Sequence, residues 1–464
     1  MRHISLIFRH GDRSPTFNAF EPLAVDSALE AAAWALSLPT KKFSETLEKR
    51  FPIRTPYATT RDEASLGKNF GSLTGLGVLQ MRRLGQWISE LSKHHTFVPR
   101  RVIASNFRRT QFSAQCLLAG LLKGDQGVFV TVPESKLDHL NVWGTDPVLR
   151  KLLRSNGALG VDIARTTPEE EYAKAIFLRA VPAFGFLIRP FSWISAMDHS
   201  MSREGKMGGG GPLRGRSAPQ RINEIFEELH VAGSGKLTRE NLHLALEQVL
   251  QSPFSGSAAN KTDIEKLINS VDKDGNGEVD IDEFRVFLES IRLPTPYGGV
   301  SMQEYEAAAK IIESAVSRRF DVILSQPSVR RISAGTMAKT VLSGIDDVLN
   351  SAAKTSGENP SPCTIDLYAA HDVTLIPLLK HLGIWDGTKH SWPGVASALA
   401  FEVIAKENGA NPMVRILLWE GVRGELSGLE PRVLGLRSVS TNLSEHDDSE
   451  IIEYERLKSW TLAL

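Results

Sequence analysis

The chain has 464 residues, 42% hydrophobic and 23% charged, enough for a sizeable core and roughly two or three domains. Lys and Arg together number 54, as do Asp and Glu, so no global charge draws the molecule to nucleic acid or to an anionic membrane, and any anion site must be local. The two cysteines, Cys116 and Cys363, stand in apolar stretches, which argues against a disulfide framework and for a reducing compartment.

The first predicted element is a strand, "HISLIF" (His3 to Phe8), which runs directly into Arg9, His10 and Arg13. It leaves no room for a charged and then apolar leader, so the expectation is cytoplasmic for the chain as it stands, or organellar or secreted if the N-terminus is incomplete. Up to about residue 135, strand-like and helix-like runs alternate, the pattern of a parallel sheet covered by helices. In that region "RVIAS" delivers Arg108 and Arg109. Residues 140 to 200 read as helices. The longest apolar stretch, Ala175 to Met197, is interrupted by Arg179, Pro182, Arg189 and Pro190, so it is read as core helices rather than a membrane span. Its aromatic residues suit a greasy pocket or a membrane surface.

Met201 to Gln220 is rich in glycine and basic residues and reads as a linker. An internal repeat follows, with an offset of 42 residues that places Gly235 on Gly277. Ile222, Ile225, Phe226 and Leu229 repeat as Ile264, Leu267, Ile268 and Val271, and Leu242, Ala245, Leu246 and Val249 as Phe284, Phe287, Leu288 and Ile291. The unit is helix, loop, helix, twice. In the second loop, "DKDGNGEVDIDE", the oxygens of Asp272, Asp274, Asn276, Glu278, Asp280 and Glu283 stand at the positions of an EF-hand, with Gly277 for the sharp turn, so a calcium ion is the expected partner. The first loop, His230 to Asn241, lacks carboxylates at these positions and is expected to serve as a packing partner.

After a second linker, helical pattern runs to about residue 353. Strand "TIDLYAA" (Thr364 to Ala370) then delivers His371 and Asp372, and "ASALAFEVI" and "VRILLWEG" return to the α/β style. The tail from Ser440 to Lys458 reads as an irregular surface segment.

Three polar clusters thus stand where predicted strands end and helices begin. In open parallel sheets such ends converge on one crevice, and several arginines with two histidines there describe a site for a phosphate-like oxyanion. Taken singly, Asp372 is also a plausible helix cap, Arg108 and Arg109 a solvated helix start, and His371 a core histidine; the joint placement favours a site.

"RHGDRSP" resembles the signature of the histidine acid phosphatases, the second branch of the histidine phosphatase superfamily. "GSLTGLGVLQMRRLG", "RRTQFSAQCLLAGL" and "LYAAHDVTLIPLLKHLGIWD" resemble later blocks in the right order, the last two being most similar to the lysophosphatidic acid phosphatase type. The resemblance implies a phosphoglycerate-mutase-like α/β fold with a parallel sheet, helices on both faces, a helical cap, and an inserted all-α EF-hand pair. It divides the chain into a first core half (1–140), the cap (141–200), the linker (201–220), the EF-hand pair (221–292), a cap return and core helix (300–353), and a second core half with the tail (354–464). It implies that His10 attacks phosphorus, that Arg9, Arg13, Arg109 and His371 bind the phosphoryl group, and that Asp372 protonates the leaving group and then accepts a proton from water, with no metal in the chemistry. Arg109 is preferred to Arg108 because it fits the block Arg-Thr-x-x-Ser-Ala. The implied activity is acid phosphomonoester hydrolysis, with lysophosphatidate-like lipids among the substrates and calcium as a possible regulator. Two alternatives stand beside it: a phytase-like activity, and a calcium sensor or adaptor on an idle phosphatase scaffold.

Overall fold

The computed structural model describes residues 2–39, 41–55, 70–91, 97–124, 127–134, 138–155, 166–203, 237–238, 269, 272, 275–276, 278–280, 282–283, 296–354, 363–404, 411–421, 432–434 and 451–462. Its strands are β1 (Arg2–Arg9), β2 (Ile53–Arg54), β3 (Val98–Ala104), β4 (Val130–Thr131), β5 (Leu237–Thr238), β6 (Glu278–Val279), β7 (Thr364–Ala370), β8 (Ala398–Ile404), β9 (Met413–Trp419), β10 (Arg432–Leu434) and β11 (Ile452–Glu453). The helices are α1 (Ala24–Ser37), α2 (Lys41–Arg50), α3 (Gly75–Leu91), α4 (Arg108–Leu121), α5 (Val142–Thr145), α6 (Pro147–Ser155), α7 (Pro168–Ala180), α8 (Pro182–Gly185), α9 (Trp193–Arg203), α10 (Met302–Leu324), α11 (Pro327–Lys354), α12 (Asp372–His381) and α13 (Tyr454–Leu462).

The main sheet runs β10-β9-β8-β1-β7-β3-β4-β2, with β11 paired to β9. β1, β7, β3, β4 and β2 are mutually parallel, as the alternation of strands and helices predicts. β8 to β11 are antiparallel and extend the parallel core on one side. The link between β8 and β9, residues 405–412, is too short for the crossover that a parallel pair requires. β1 is buried on both faces, one apolar (Ile4, Leu6, Phe8) and the other carrying His3, Ser5 and Arg9 beside Ile7. Ile4, Leu6 and Phe8 join the buried cluster of α3 and α4, whereas Ile7 joins that of α10, α11 and α12.

The helical cap is tied down by buried ion pairs. On α1, Glu30 accepts from the Ala19 N–H at 2.7 Å and the Trp34 Nε1–H at 3.3 Å, and it pairs with Arg203 at the end of α9. Burial pushes the Arg203 guanidinium down to about 10, still charged at neutral pH, and the pair sets it against the Glu30 carboxylate. On α7, Glu170 accepts from Arg319 of α10 at 2.7 Å. α9 extends to Arg203, three residues into the stretch read from sequence as a linker, where Arg203 meets the buried Glu30 of α1 and the Ser202 hydroxyl donates to the Asp198 carbonyl at 2.8 Å. Residues 204–220 of that linker lie outside the described residues. The tail also differs from expectation: its end supplies β11 and α13, and Tyr454 and Leu457 are each 1% exposed. An amphipathic turn inside an acidic segment was hidden by its flanks.

Of the apolar stretch Ala175 to Met197, Phe177, Phe184 and Trp193 are buried in the core, as expected of core helices. Phe186, Leu187 and Ile188 instead form an exposed tip, with Leu187 at φ 57°. Among the described residues no helix is long and apolar enough to cross a membrane.

Candidate active site

The three clusters meet because their strands are neighbours. Arg9 of β1 lies opposite Ala370 of β7, and Ala104 of β3 opposite Ala369, so the three carboxyl ends are level. His10 follows β1, Arg109 begins α4 after β3, and His371 and Asp372 begin α12 after β7.

The loop after β1 is held by its backbone. The Asp12 N–H donates to Gln80 Oε1 at 2.8 Å, Asp12 Oδ2 accepts from the Thr74 hydroxyl at 2.5 Å, and the Gly11 N–H donates to Ser113 Oγ at 3.2 Å. The start of α3 lies so close that a Cβ on Gly77 would stand 2.2 Å from the Asp12 carbonyl oxygen. The glycines of "RHGDR" and "TGLG" are thus a matched pair that lets two backbones touch.

His10 is 3% exposed and donates from Nδ1 to the Gly11 carbonyl at 2.8 Å. A carbonyl can only accept, so the proton sits on Nδ1 and the lone pair on Nε2. Burial first, then Arg109, Arg13, Arg9 and His371, hold its imidazolium well below the ordinary range, so the ring is neutral. Arg109 is 9% exposed and stacks on Phe107, its Cζ 4.4 Å from the ring centroid. Arg108 turns outward to Glu48. Of the two arginines, geometry brings only the one preferred from the sequence motif to the site.

His371 caps α12 and meets the His10 ring edge-on at 5.8 Å. Its Nε2 lies 2.8 Å from Ser105 Oγ, which lies 2.8 Å from Thr110 Oγ1, which in turn donates to the carbonyls of Ser105 (3.0 Å) and Phe107 (2.8 Å). With its one hydrogen committed to carbonyls, Thr110 accepts from Ser105, and Ser105 accepts from His371. His371 therefore keeps its proton on Nε2. Burial first, then Arg109, lowers its imidazolium well below the ordinary range, against an opposing pull from Asp372.

Asp372 is the first residue of α12 rather than its cap. One oxygen takes the Arg9 guanidinium at 2.8 Å and the Trp392 Nε1–H at 2.9 Å, and the other the Val373 N–H at 2.7 Å. Burial pushes its carboxyl up, but Arg9, Trp392, His371 and Val373 outweigh this and hold it below the ordinary carboxylate range. The protonated Asp372 expected from sequence is thus a carboxylate in this arrangement. Arg13 donates to the Ser14 carbonyl at 2.8 Å and pairs with Asp198 of α9, whose other oxygen accepts from Thr16 Oγ1 at 3.0 Å. From sequence, Thr110 entered only as part of the block that selects Arg109, and Ser105, Trp392 and Asp198 were given no role in the site. Only Ser105, at a strand end, carried a positional signal.

The EF-hand positions Asp272, Asn276, Glu278, Asp280 and Glu283 are described; Asp274 and Gly277 lie outside the described residues. Glu278 N–H donates to Asn276 Oδ1 at 2.7 Å, and Asp280 Oδ1 accepts from the N–H groups of Asp282 and Glu283, each at 2.8 Å. β5 pairs with β6, Leu237 opposite Val279, so the two loops meet in the register that the repeat predicts. Among the described residues no three His, Cys, Asp or Glu side chains converge as a metal-holding group. The oxygen-only donor set fits a hard cation such as calcium, with Asp272 and Glu283 at its two ends.

Comparison with known proteins agrees with these two regions. Residues 1–151 match the sequence model of the histidine phosphatase superfamily (branch 2), and residues 219–288 that of an EF-hand domain pair. Protein S100-G of Equus caballus is 32% identical over 79 residues, which cover 16% of this chain and 94% of that protein. Calcium-dependent protein kinase 27 of Arabidopsis thaliana is 36% identical over 63 residues, 14% of this chain and only 12% of the kinase. Among solved structures, the phytase from Citrobacter braakii aligns at a TM-score of 0.39 and 15% identity, covering 99% of this chain and 97% of that one. The Bifidobacterium longum multiple inositol polyphosphate phosphatase, in complex with inositol hexasulfate, aligns at 0.41 and 15% identity, covering 98% and 91%.

Proposed function

We propose, for a chain whose residues 1–151 belong to branch 2 of the histidine phosphatase superfamily and whose residues 219–288 are an EF-hand pair, that it hydrolyses phosphate monoesters through a phosphohistidine on His10. The observation that carries this is the buried, neutral imidazole whose Nδ1–H is held by Gly11, leaving the Nε2 lone pair among Arg9, Arg13 and Arg109.

In the first step His10 Nε2 bonds to phosphorus as the ester P–O bond breaks. The arginines neutralise charge on the phosphoryl oxygens, and the Gly11 carbonyl compensates the charge that develops on the ring. The leaving alkoxide needs a proton, and Asp372 holds none while Arg9 faces it. A monoanionic ester, with a second pKa of about 6, brings one. As Arg9 turns to the phosphoryl group, Asp372 loses its main stabilising charge, takes that proton and passes it to the leaving oxygen. In the second step water attacks phosphorus, Asp372 accepts its proton, and the N–P bond breaks to return His10. Activity is then greatest on the acid side of neutrality. His371 donates from Nδ1 only once the bound phosphate has drawn a second proton onto its ring.

Lysophosphatidate-like substrates are favoured over inositol polyphosphates by the exposed tip of Phe186, Leu187 and Ile188. That tip adjoins Phe184, whose ring packs 5.3 Å from Phe17, close to the Arg13 loop. In this reading the EF-hand pair binds calcium and regulates the cap in which it is inserted. The chain re-enters the cap where the Tyr297 N–H donates to the Ala180 carbonyl at 3.0 Å. The test is hydrolysis of p-nitrophenyl phosphate and of lysophosphatidate by wild type and His10→Ala, with calcium or chelator. Trapping of an acid-labile, base-stable phosphoenzyme is expected in wild type alone. Absence of turnover by folded wild type on both substrates would leave the calcium-binding adaptor as the better reading.

A further inference from the structure

Among the described residues of α9, Asp198 sends a carboxylate to a phosphate clamp, Arg13. It stands on α9, and its side chain is 19% exposed. One oxygen pairs with Arg13 and the other is fixed by the Thr16 hydroxyl at 3.0 Å. The neighbouring His199 ring stacks on Phe17 at 5.5 Å, so this turn of α9 is registered against the loop that carries Arg13. An oxygen anion held on a guanidinium in this way makes the contact that a phosphoryl oxygen would make.

We infer that Asp198 is an affinity-setting residue of the phosphate site: its carboxylate competes with bound phosphate for Arg13. The inference rests on the phosphatase reading and deepens it. Arg9 has the matching arrangement, with Asp372 at 2.8 Å, but Asp372 is placed to move protons. Asp198 is on the cap and has no such position, so its charge acts on binding alone. Four cationic or hydrogen-bonding groups without an opposing anion would hold the product phosphate tightly, and slow release limits turnover. A carboxylate that must be displaced on binding and that returns on release weakens substrate and product together.

A residue that merely positions Arg13 gives the opposite sign, which makes the inference testable. Asp198→Asn keeps the shape and the Thr16 bond but removes the charge. Titration of inorganic phosphate into the full-length protein, followed by calorimetry, is expected to show binding about tenfold tighter in the variant, as for removal of one competing charge contact. KM and kcat for p-nitrophenyl phosphate are expected to fall together. Thr16→Val, which loosens Asp198 without removing it, is expected to shift phosphate affinity the same way by a smaller factor, and it keeps the test alive if the first variant does not fold. Unchanged or weaker phosphate binding in either folded variant would overturn the competition and leave Asp198 a structural partner of Arg13. Failure of wild type and both variants to bind phosphate at all would overturn the phosphatase reading, and this inference with it.

Discussion

His199 makes the protein acid-sensitive in a way that can be isolated from catalysis. It is 1% exposed and stacked on Phe17, and its Nδ1 has no hydrogen-bond partner among the described residues. Burial lowers its pKa from 6.5 to about 4, against an upward pull from Asp198. Between these values the unfolded chain holds a proton that the folded one refuses, so stability falls as pH drops from 6.5 towards 4 and is unaffected above that window. The slope is about 1.4 kcal/mol per pH unit for this one ring, or roughly 2 kcal/mol between pH 6.5 and 5. His199→Phe keeps the stacking and removes the titration. Urea unfolding at a series of pH values from 7 to 4.5 is expected to give a shallower loss of stability in the variant by about that slope. Absolute stabilities will differ through packing, so the comparison is between slopes. Equal slopes in the two proteins would show that His199 is not held neutral, and the account of its burial would fall. His3 and His381, each lowered to about 4 with burial as the first cause, and the site histidines His10 and His371, lowered in the same direction, contribute to the remaining slope.

Ser105→Ala strands the Nε2–H of His371, at a cost of roughly 1–3 kcal/mol for an unsatisfied buried donor. The expected result is a kcat/KM for p-nitrophenyl phosphate lower by about ten- to a hundredfold, mostly in kcat; an unchanged value would mean that the Ser105–Thr110 relay does not orient His371. Trp392→Phe removes a hydrogen bond to the ionised Asp372, so the carboxyl pKa is expected to rise and the acid limb of the pH–rate profile to move towards neutrality. A shift in the other direction would contradict the role of Trp392. Gly77→Ala drives a methyl group into the Asp12 carbonyl and is expected to lower both activity and thermal midpoint, whereas a neutral outcome would show that α3 can retreat without disturbing the loop. Glu283→Gln is expected to weaken calcium binding, read by calorimetry, while leaving calcium-free turnover intact.

The features legible in the sequence were those written in periodicity and adjacency. β1 and β7 and the end of β3 are short, mainly apolar runs followed by charge, and the 42-residue repeat aligns Leu237 with Val279, which are paired across the loops. What was not legible depends on distant partners. Glu30 and Arg203 read as ordinary surface charges until α1 and α9 are folded together, and Trp392 belongs to no pattern that points to Asp372. The protonation state of Asp372 was misjudged for the same reason. A residue's type suggests that it can be an acid, whereas Arg9, brought opposite it by the pairing of β1 with β7, decides that it is a carboxylate.

The placement of β1 also governs how the molecule must be made. Within this sequence β1 is synthesised long before both its neighbours, β7 and β8, with Thr364 lying 361 residues after its partner His3. At roughly 5–20 residues per second, β1 waits on the order of 20–70 s for a strand to pair with. During that interval "ISLIF" is an unpaired apolar segment of the kind that aggregates. Refolding from denaturant should accordingly be slow and concentration-sensitive, and the yield of active protein should depend more on chaperone supply during synthesis than on the stability of the finished sheet.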